Sequence, residues 1–360
     1  MKRLALILVF AGLCLSRAEQ IAWQPGKTWV FAVGVLKFDD SSLESWPDKG
    51  REDAVMIAAM QKRGVPADHI LFLRNGQATK ENITRKFAPF LRQAKPDDTL
   101  FFYYAGHGGR DYSKTERTCT FVTYDTGSSW TVPSVFDTVE ENFHGAQVVY
   151  LADCCHSGGL VAEAARHRGR SAVLASAHVS SDSTGNWTFT HCLAEMFRGN
   201  PLLDANGDGR ITFNEAAGYI EGEMAFLEDQ HAAHSTAGGF AGDIEMARAS
   251  GKRKPMMGDH VEAESKRKWR KAEVSDVKGG KILVTWPGRE RSSDEWLPPG
   301  RIRAFTQKTW PVGTLVQAEW GKEWYPARIV KAELGLHLIH YDGFPDGDDE
   351  WMGLSRLKKK

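Results

Sequence analysis

The chain lacks an excess of charge of either sign. Its 46 lysines and arginines balance 46 aspartates and glutamates, so bulk charge leaves no footprint for nucleic acid, and none is expected as a partner. Long apolar runs are missing too. The stretch Leu4 to Leu15 is apolar, but it is too short to anchor stably across a bilayer, and no second membrane segment follows it. Cysteine is scarce: after residue 18 only Cys119, Cys154, Cys155 and Cys192 remain. An even count in an oxidising compartment invites pairing. A Cys119–Cys192 bridge is one pairing the sequence allows without requiring it.

What is present begins with an export signal. Lys2 and Arg3 supply a positive start, Leu4 to Leu15 the apolar stretch, and Ser16-Arg17-Ala18 a small-x-small cleavage site. Residues 1–18 read as a signal peptide, with a retained N-terminal membrane segment as the alternative. The expected location is secreted or periplasmic.

Two apolar runs carry the chemistry. Val148 to Ala152 reads as a strand buried on both faces, and it ends in Asp153-Cys154-Cys155-His156-Ser157-Gly158-Gly159. Thr99 to Tyr104 reads the same way and ends in Ala105-Gly106-His107-Gly108-Gly109. In open α/β sheets chemistry collects outside the carboxyl ends of the strands. One strand end therefore delivers a histidine and another a cysteine, the pairing in which a thiolate attacks a carbonyl while an imidazole carries the proton. Glycine-flanked turns can aim backbone N–H groups at the developing oxyanion, and those of Gly108 and Cys155 are the candidates. Taken singly, either residue is more often a buried thiol or a satisfied core histidine. Together, with His first and about fifty residues between them, they follow the order described for caspase-type enzymes.

These motifs resemble those of metacaspases and related bacterial caspase-like peptidases. His107 and Cys155 look like that family's dyad. Motif position makes Cys155, not Cys154, the nucleophile, and alternation at a strand end lets only one of the two face His107. His156 belongs to the motif and is not expected to be the base. The resemblance covers roughly residues 27–249. It implies a caspase–haemoglobinase-like α/β fold, a mostly parallel sheet flanked by helices, that cleaves peptide bonds. Asp53, in Gly50-Arg51-Glu52-Asp53-Ala54, resembles the family's Asp-Ala motif, whose aspartate lines the primary specificity pocket. Asp153 holds another pocket position. Two convergent carboxylates favour a cationic side chain, so cleavage after Arg or Lys is expected. Asp182 is either a third wall or a solvated loop residue. Trp187-Thr188-Phe189-Thr190 is faintly similar to the legumain branch, which keeps cleavage after Asn open. Arg166, Arg168 and Arg170 form a self-cleavage candidate or a solvated basic loop.

Along the chain, strands are expected over 28–36, 70–73, 99–104, 147–152, 171–177 and 240–246, and helices over 50–63, 79–93, 132–143, 187–198 and 212–230. Residues 204–215 fit the twelve-residue EF-hand loop. Asp204, Asn206 and Asp208 stand at positions 1, 3 and 5, with Gly209 at the turn. Arg210 offers its carbonyl, Thr212 acts through water, and Glu215 is bidentate. Calcium is the expected cofactor, and an Asx-rich turn without metal is the alternative. The incoming helix is interrupted by Gly199 and Pro201, which suggests a lone site.

After a linker at 250–257, residues 258–306 and 310–360 form a gapless repeat offset by about 55 residues. Val261 matches Val316, Trp269 matches Trp324, and Glu295-Trp296 matches Glu350-Trp351. Short alternating strands with glycine turns predict two small all-β barrels. The units resemble Tudor, agenet or chromo-barrel modules of the SH3-like class. Aromatics in such modules either fill the barrel or cage a methylated cation. The candidates are Trp269, Trp286, Trp296, Trp324, Tyr341 and Trp351, and the expected ligand is a protein or peptide. The leading expectation is a secreted cysteine endopeptidase acting on protein or peptide substrates. A non-enzymatic, calcium-dependent scaffold built on the same fold is the alternative.

Overall fold

The computed structural model describes residues 23–111, 118–126, 130–254, 256–287 and 293–360. The expected signal peptide and Pro255 of the expected linker lie outside the described residues. The elements run β1 (Thr28–Gly34), α1 (Glu52–Lys62), β2 (Ile70–Arg74), α2 (Lys80–Leu91), β3 (Thr99–Ala105), β4 (Gly108–Arg110), β5 (Cys119–Phe121), β6 (Trp130–Thr131), α3 (Val132–Asn142), β7 (Gln147–Asp153), α4 (Gly159–Ala164), β8 (Ser171–Ala175), α5 (Thr188–Arg198), β9 (Arg210–Thr212), α6 (Phe213–Glu228), β10 (Ala233–Ala237) and β11 (Glu245–Arg248). Two β-units follow. The first contains β12 (His260–Ser265), β13 (Lys268–Lys278), β14 (Lys281–Thr285), β15 (Glu295–Leu297) and β16 (Ile302–Ala304). The second contains β17 (Leu315–Trp320), β18 (Glu323–Glu333), β19 (Leu336–Tyr341), β20 (Glu350–Met352) and β21 (Leu357–Lys359).

Among the described residues the main sheet has the order β10-β8-β7-β3-β1-β2. Every pair is parallel except β10 with β8. Strands buried on both faces explain the apolar runs. In β1, Val30 and Ala32 join one core while Trp29, Phe31 and Val33 join the other. Helices α1, α5 and α6 cover the first face, and α2, α3 and α4 cover the second.

The sequence places the closing strand at 240–246, whereas the edge strand is β10, whose accessibility merely alternates. It pairs on one side only, so it needs no apolar run. Phe240, Ile244 and Met246 instead fill the core around the turn leading to β11, which pairs with β9.

The two β-units have the same connectivity, β15-β14-β13-β12-β16 and β20-β19-β18-β17-β21, all antiparallel. The repeat offset survives at the level of pairing. Val261 faces Ala272 as Val316 faces Ala327, and the bulge at Val274/Asp276 returns at Ile329/Lys331. Helix α6 is the bench for both. Phe226 stacks on His260 with ring centroids 3.7 Å apart, and Glu223 accepts from His260 at 2.8 Å. Ala225 packs with Leu336 and Trp351 in a buried cluster. Among the described residues no helix is long and apolar enough to cross a membrane.

Replacing Trp351 with Ala should cost about 3–5 kcal/mol, the usual range for a buried large aromatic. The loss should appear in denaturant unfolding as early release of the second β-unit, detected as new protease cleavage after residue 305.

Candidate active site

Register places the two motif residues. Strands β3 and β7 pair in parallel with Ala105 opposite Asp153, and the Gly106 N–H donates to the Asp153 carbonyl at 3.3 Å. His107 and Cys155 each lie two residues past that pair. Two glycines make the approach possible. Gly106 has φ +151°, and a Cβ there would stand 2.9 Å from the Val35 carbonyl oxygen. A Cβ on Gly108 would collide with the Cys155 carbonyl oxygen.

His107 is half-buried between Phe38 and Trp46, with ring centroids 5.0 and 4.6 Å away. Its Nε2 lies 2.9 Å from the Glu44 carbonyl oxygen. A carbonyl only accepts, so Nε2 carries a proton, and the nitrogen left to act as a base is Nδ1. Cys155 is half-buried, and its Sγ accepts the Ser183 N–H at 3.3 Å. Burial pushes the thiol up to about 11, the Asp182 carboxylate adds to this, and the Ser183 N–H opposes it. Among the described residues no hydrogen bond joins Sγ to the His107 ring.

The neighbouring motif residues face elsewhere. Cys154 is buried in the core, and its thiol is raised far above its ordinary value by desolvation. His156 adopts φ +58°. Its Nδ1 lies 3.1 Å from the Val179 carbonyl oxygen and its Nε2 3.7 Å from Asp182. Asp182 is thus an exposed carboxylate beside the thiol rather than a wall of the Asp53 pocket.

All four described cysteines are free. The Cys119–Cys192 bridge does not form because Cys119 packs in the core on one face of the sheet and Cys192 in the core on the other.

Both carboxylates expected in the pocket already have partners, and Asp153 is buried in the sheet rather than among the residues lining the cavity at Asp53. Asp53 receives Arg51 Nε at 3.0 Å and Nη2 at 2.6 Å. Arg51 also donates to the Gly34 carbonyl oxygen at 2.9 Å, Asp48 at 3.2 Å and Asn75 at 3.1 Å. These two side chains are 6% and 3% exposed, so the pair is buried. Asp153 accepts the Thr190 N–H at 3.1 Å and its hydroxyl at 2.6 Å, while burial raises its carboxyl to about 6. Asp53 does line a cavity of about 160 Å³ beside His107, together with Leu36, Trp46, Ala105, Gly185 and Trp187. Trp46 and Trp187 meet edge to face at 5.0 Å.

The sequence reading misses Arg51, Ser183, Glu44 and Trp46. Arg51 carried a signal, because a cation two residues before a helix-start aspartate is placed to pair with it. Ser183 and Glu44 act through backbone atoms, which leave no trace in residue type.

The remaining candidates are dispersed. Arg166 pairs loosely with Glu163 at 3.4 Å, and Arg168 and Arg170 are exposed. In the 204–215 loop the Asp204 carboxylate accepts the N–H groups of Gly207, Asp208 and Gly209. Asn206 and Asp208 cap the N–H groups of Asp208 and Arg210. Glu215 accepts the N–H groups of Asn206 and Thr212, and Gly209 takes φ +86°. The donor set is all oxygen and the turn is preformed, which suits a hard cation of the calcium kind. Strand β9 inside this loop pairs with β11 rather than with a second hand.

Of the six aromatic candidates, Trp286 is core, Trp351 is stacked on His231 at 4.2 Å, and Trp296 is exposed. Trp269 and Trp324 are covered by Arg303 and Lys358 at 4.2 and 3.5 Å. Tyr341 lines a cavity with Trp320, Tyr325 and Phe344, and Trp269 lines another with Phe226 and Phe305.

Residues 57–163 match the family model described as metacaspase, peptidase C14 domain. Metacaspase-7 of Arabidopsis thaliana is 33% identical over 131 residues, covering 34% of this chain and 31% of its own. Metacaspase-2 of Trypanosoma brucei brucei is 30% identical over 127 residues, covering 29% and 35%. The chain therefore spans about a third of the length of these metacaspases. A crystal structure of a Geobacter sulfurreducens protein aligns with a TM-score of 0.47 at 16% identity, covering 64% of this chain and 98% of that one. The segment carrying both His107 and Cys155 is the one that the family model and these relatives match.

Two measurements check this geometry. Alkylation of Cys155 by a small neutral reagent should climb about tenfold per pH unit from pH 7 and level off near 11, because only the thiolate reacts. A midpoint below 8 would mean that an ion pair with His107 already exists. Arg51→Ala should destabilise the fold by roughly 3–5 kcal/mol, since it strands a buried carboxylate. Arg51→Gln combined with Asp53→Asn should recover part of that loss.

Proposed function

We propose that the chain is a cysteine endopeptidase in which Cys155 is the nucleophile and His107 the base. The observation that carries this reading is the in-register pairing of β3 with β7, which brings both residues to one sheet edge, with Nδ1 as the basic nitrogen. The Cys155 side chain turns from Ser183 toward His107, and Nδ1 takes its proton. Sγ attacks the scissile carbonyl, and the N–H groups of Gly108 and Cys155 receive the oxyanion. His107 returns the proton to the leaving amine, and water, deprotonated by the same nitrogen, releases the acyl group.

Cleavage after Arg or Lys is supported by Asp53 at the pocket wall, and it requires the incoming cation to take Asp53 from Arg51. The Arg51–Asp53 pairing itself favours the second reading, an uncharged residue such as Asn. A fluorogenic peptide panel separates them. Arg or Lys turnover upholds the first, and Asn-only turnover the second. Cys155→Ala should reduce activity by on the order of 10⁴-fold or more. A scaffold without enzymatic function is the outcome if no peptide is cut and an acyloxymethyl ketone leaves Cys155 unlabelled in reducing buffer.

Calcium at the 204–215 loop is part of the same proposal. Asp204, Asn206, Asp208, the Arg210 carbonyl and Glu215 would hold it, with Thr212 acting through water. The bound ion would draw these oxygens together and pin the start of α6. At about a hundred times its dissociation constant, calcium should stabilise the protein by roughly 2.7 kcal/mol, seen as a rise in melting temperature that Glu215→Ala abolishes. We read the two β-units as SH3-type barrels that bind a protein or peptide. The reading is supported by their four-strand meanders and by the fifth strand that returns beside the first after a 3₁₀ turn. Export by residues 1–18 completes the proposal.

A further inference from the structure

A buried amide is costly unless its hydrogen bonds are made. Gln230, between α6 and β10, is 5% exposed and makes them. Its Oε1 accepts the Thr184 N–H at 2.8 Å. Its Nε2 donates to the Ser183 hydroxyl at 3.1 Å and to the Ser176 carbonyl. An N–H on one side and a carbonyl on the other fix which way round the amide lies.

These partners lie around Cys155. Ser183 gives its N–H to the sulfur at 3.3 Å, and its carbonyl oxygen lies 3.9 Å from the same atom. Its hydroxyl meets the Ser176 hydroxyl at 3.0 Å, and Ser176 Oγ also takes the Cys154 N–H at 3.1 Å. One amide therefore ties together the chain just after β8, the residue whose backbone faces the thiol, and the residue that follows it. An apolar side chain of the same length would fill the space and forfeit all three bonds.

Gln230 is itself held from behind. Helix α6 ends at Asp229, which takes φ +51°, and the Gln230 N–H returns to the Met224 carbonyl at 3.2 Å, a bond that closes many helices. The residues on either side are gripped by the β-units. Lys271 of the first donates to Asp229 at 2.9 Å. His231 lies 2.8 Å from Glu333 of the second and stacks on Trp351. A helix end and two β-units thus set the backbone from which the amide reaches the active centre.

We propose that Gln230 is a positioning residue of the active centre, fixing the Ser183 backbone so that its N–H stays on the Cys155 sulfur. A hydrogen bond donated to sulfur favours the thiolate over the thiol, and the thiolate is the form that attacks. Burial and the Asp182 carboxylate oppose the thiolate, and the Ser183 N–H is the largest influence in its favour. A loosely held Ser183 would share that N–H with water and withdraw the support. Gln230 acts in this way on the resting sulfur, before it turns toward His107. The inference rests on the peptidase reading for the use made of the thiolate and not for its formation.

The test follows alkylation of Cys155 in the full chain by iodoacetamide at pH 8, read at that residue by mass spectrometry, beside the Ser183 amide proton in nitrogen-resolved NMR. Gln230→Met keeps the length and discards the bonds. Its rate should fall about tenfold, the scale of one hydrogen bond to a charged group. Ser183→Ala keeps the N–H and removes the hydroxyl that Gln230 holds. It should slow the reaction by less, and it carries the test if Gln230→Met fails to fold. In the unsubstituted protein the Ser183 amide proton should move when the sulfur is capped, and in Gln230→Met that response should be lost. Replacing a merely structural residue would instead loosen the segment, admit water and reagent, and speed the reaction. An unchanged or faster rate in either folded variant overturns the proposal, as does a Ser183 amide that still answers to capping in Gln230→Met. No peptide is cut in these measurements, so a failure of the peptidase reading would be seen separately in the substrate panel.

Discussion

The backbone ladder between β3 and β7 sets everything downstream. Seven consecutive residues pair from Thr99 with Gln147 to Ala105 with Asp153, and the strands are buried on both faces. A slip of one residue would turn every side chain to the other face of the sheet and exchange the roles of Cys154 and Cys155. The apolar cores on either side forbid that slip, because Phe101 and Tyr103 fit one and Phe102 and Tyr104 the other. The positions of the thiol and the imidazole are thus set by hydrophobic packing well away from them.

The electrostatics of this edge describe a quiet form. The imidazole is held in one tautomer by a backbone oxygen, while the sulfur is held protonated by burial and by Asp182. The carboxylate at the pocket wall is matched by a guanidinium from the same chain. The sulfur thus lacks its reactive charge, and the charge at the pocket wall is already compensated. A substrate would therefore have to rearrange contacts as well as fill space.

Much of this was legible in the residues. The runs at 28–36, 99–104 and 147–152 read as strands because burial on both faces demands apolar side chains throughout, and the glycines around His107 and Cys155 marked the close approach. The 55-residue repeat extended as far as the bulges. The polar edge strand β10 was not legible, since an edge needs no apolar run. The Arg51–Asp53 pair was legible but missed, because the aspartate was weighed without the arginine two residues before it. Of the rings lining the cavity at Ser180, Tyr341 was a named candidate, while Trp320, Tyr325 and Phe344 were not, because the comparison favoured aromatics shared by both repeats. The distinctive rings stand where the two copies differ, at Trp320 against Ser265 and Tyr325 against Arg270.

Helix α6 begins at the oxygen-rich loop and ends beneath both β-units, with Phe226, Ala225 and Asp229 each engaged from above. Cutting the chain at residue 250 would not yield a clean α/β fragment. It would lay bare a greasy strip along the last two turns of that helix and leave Lys271's acidic partner facing water. The tail is better regarded as the missing outer wall of the α/β body than as cargo attached to it.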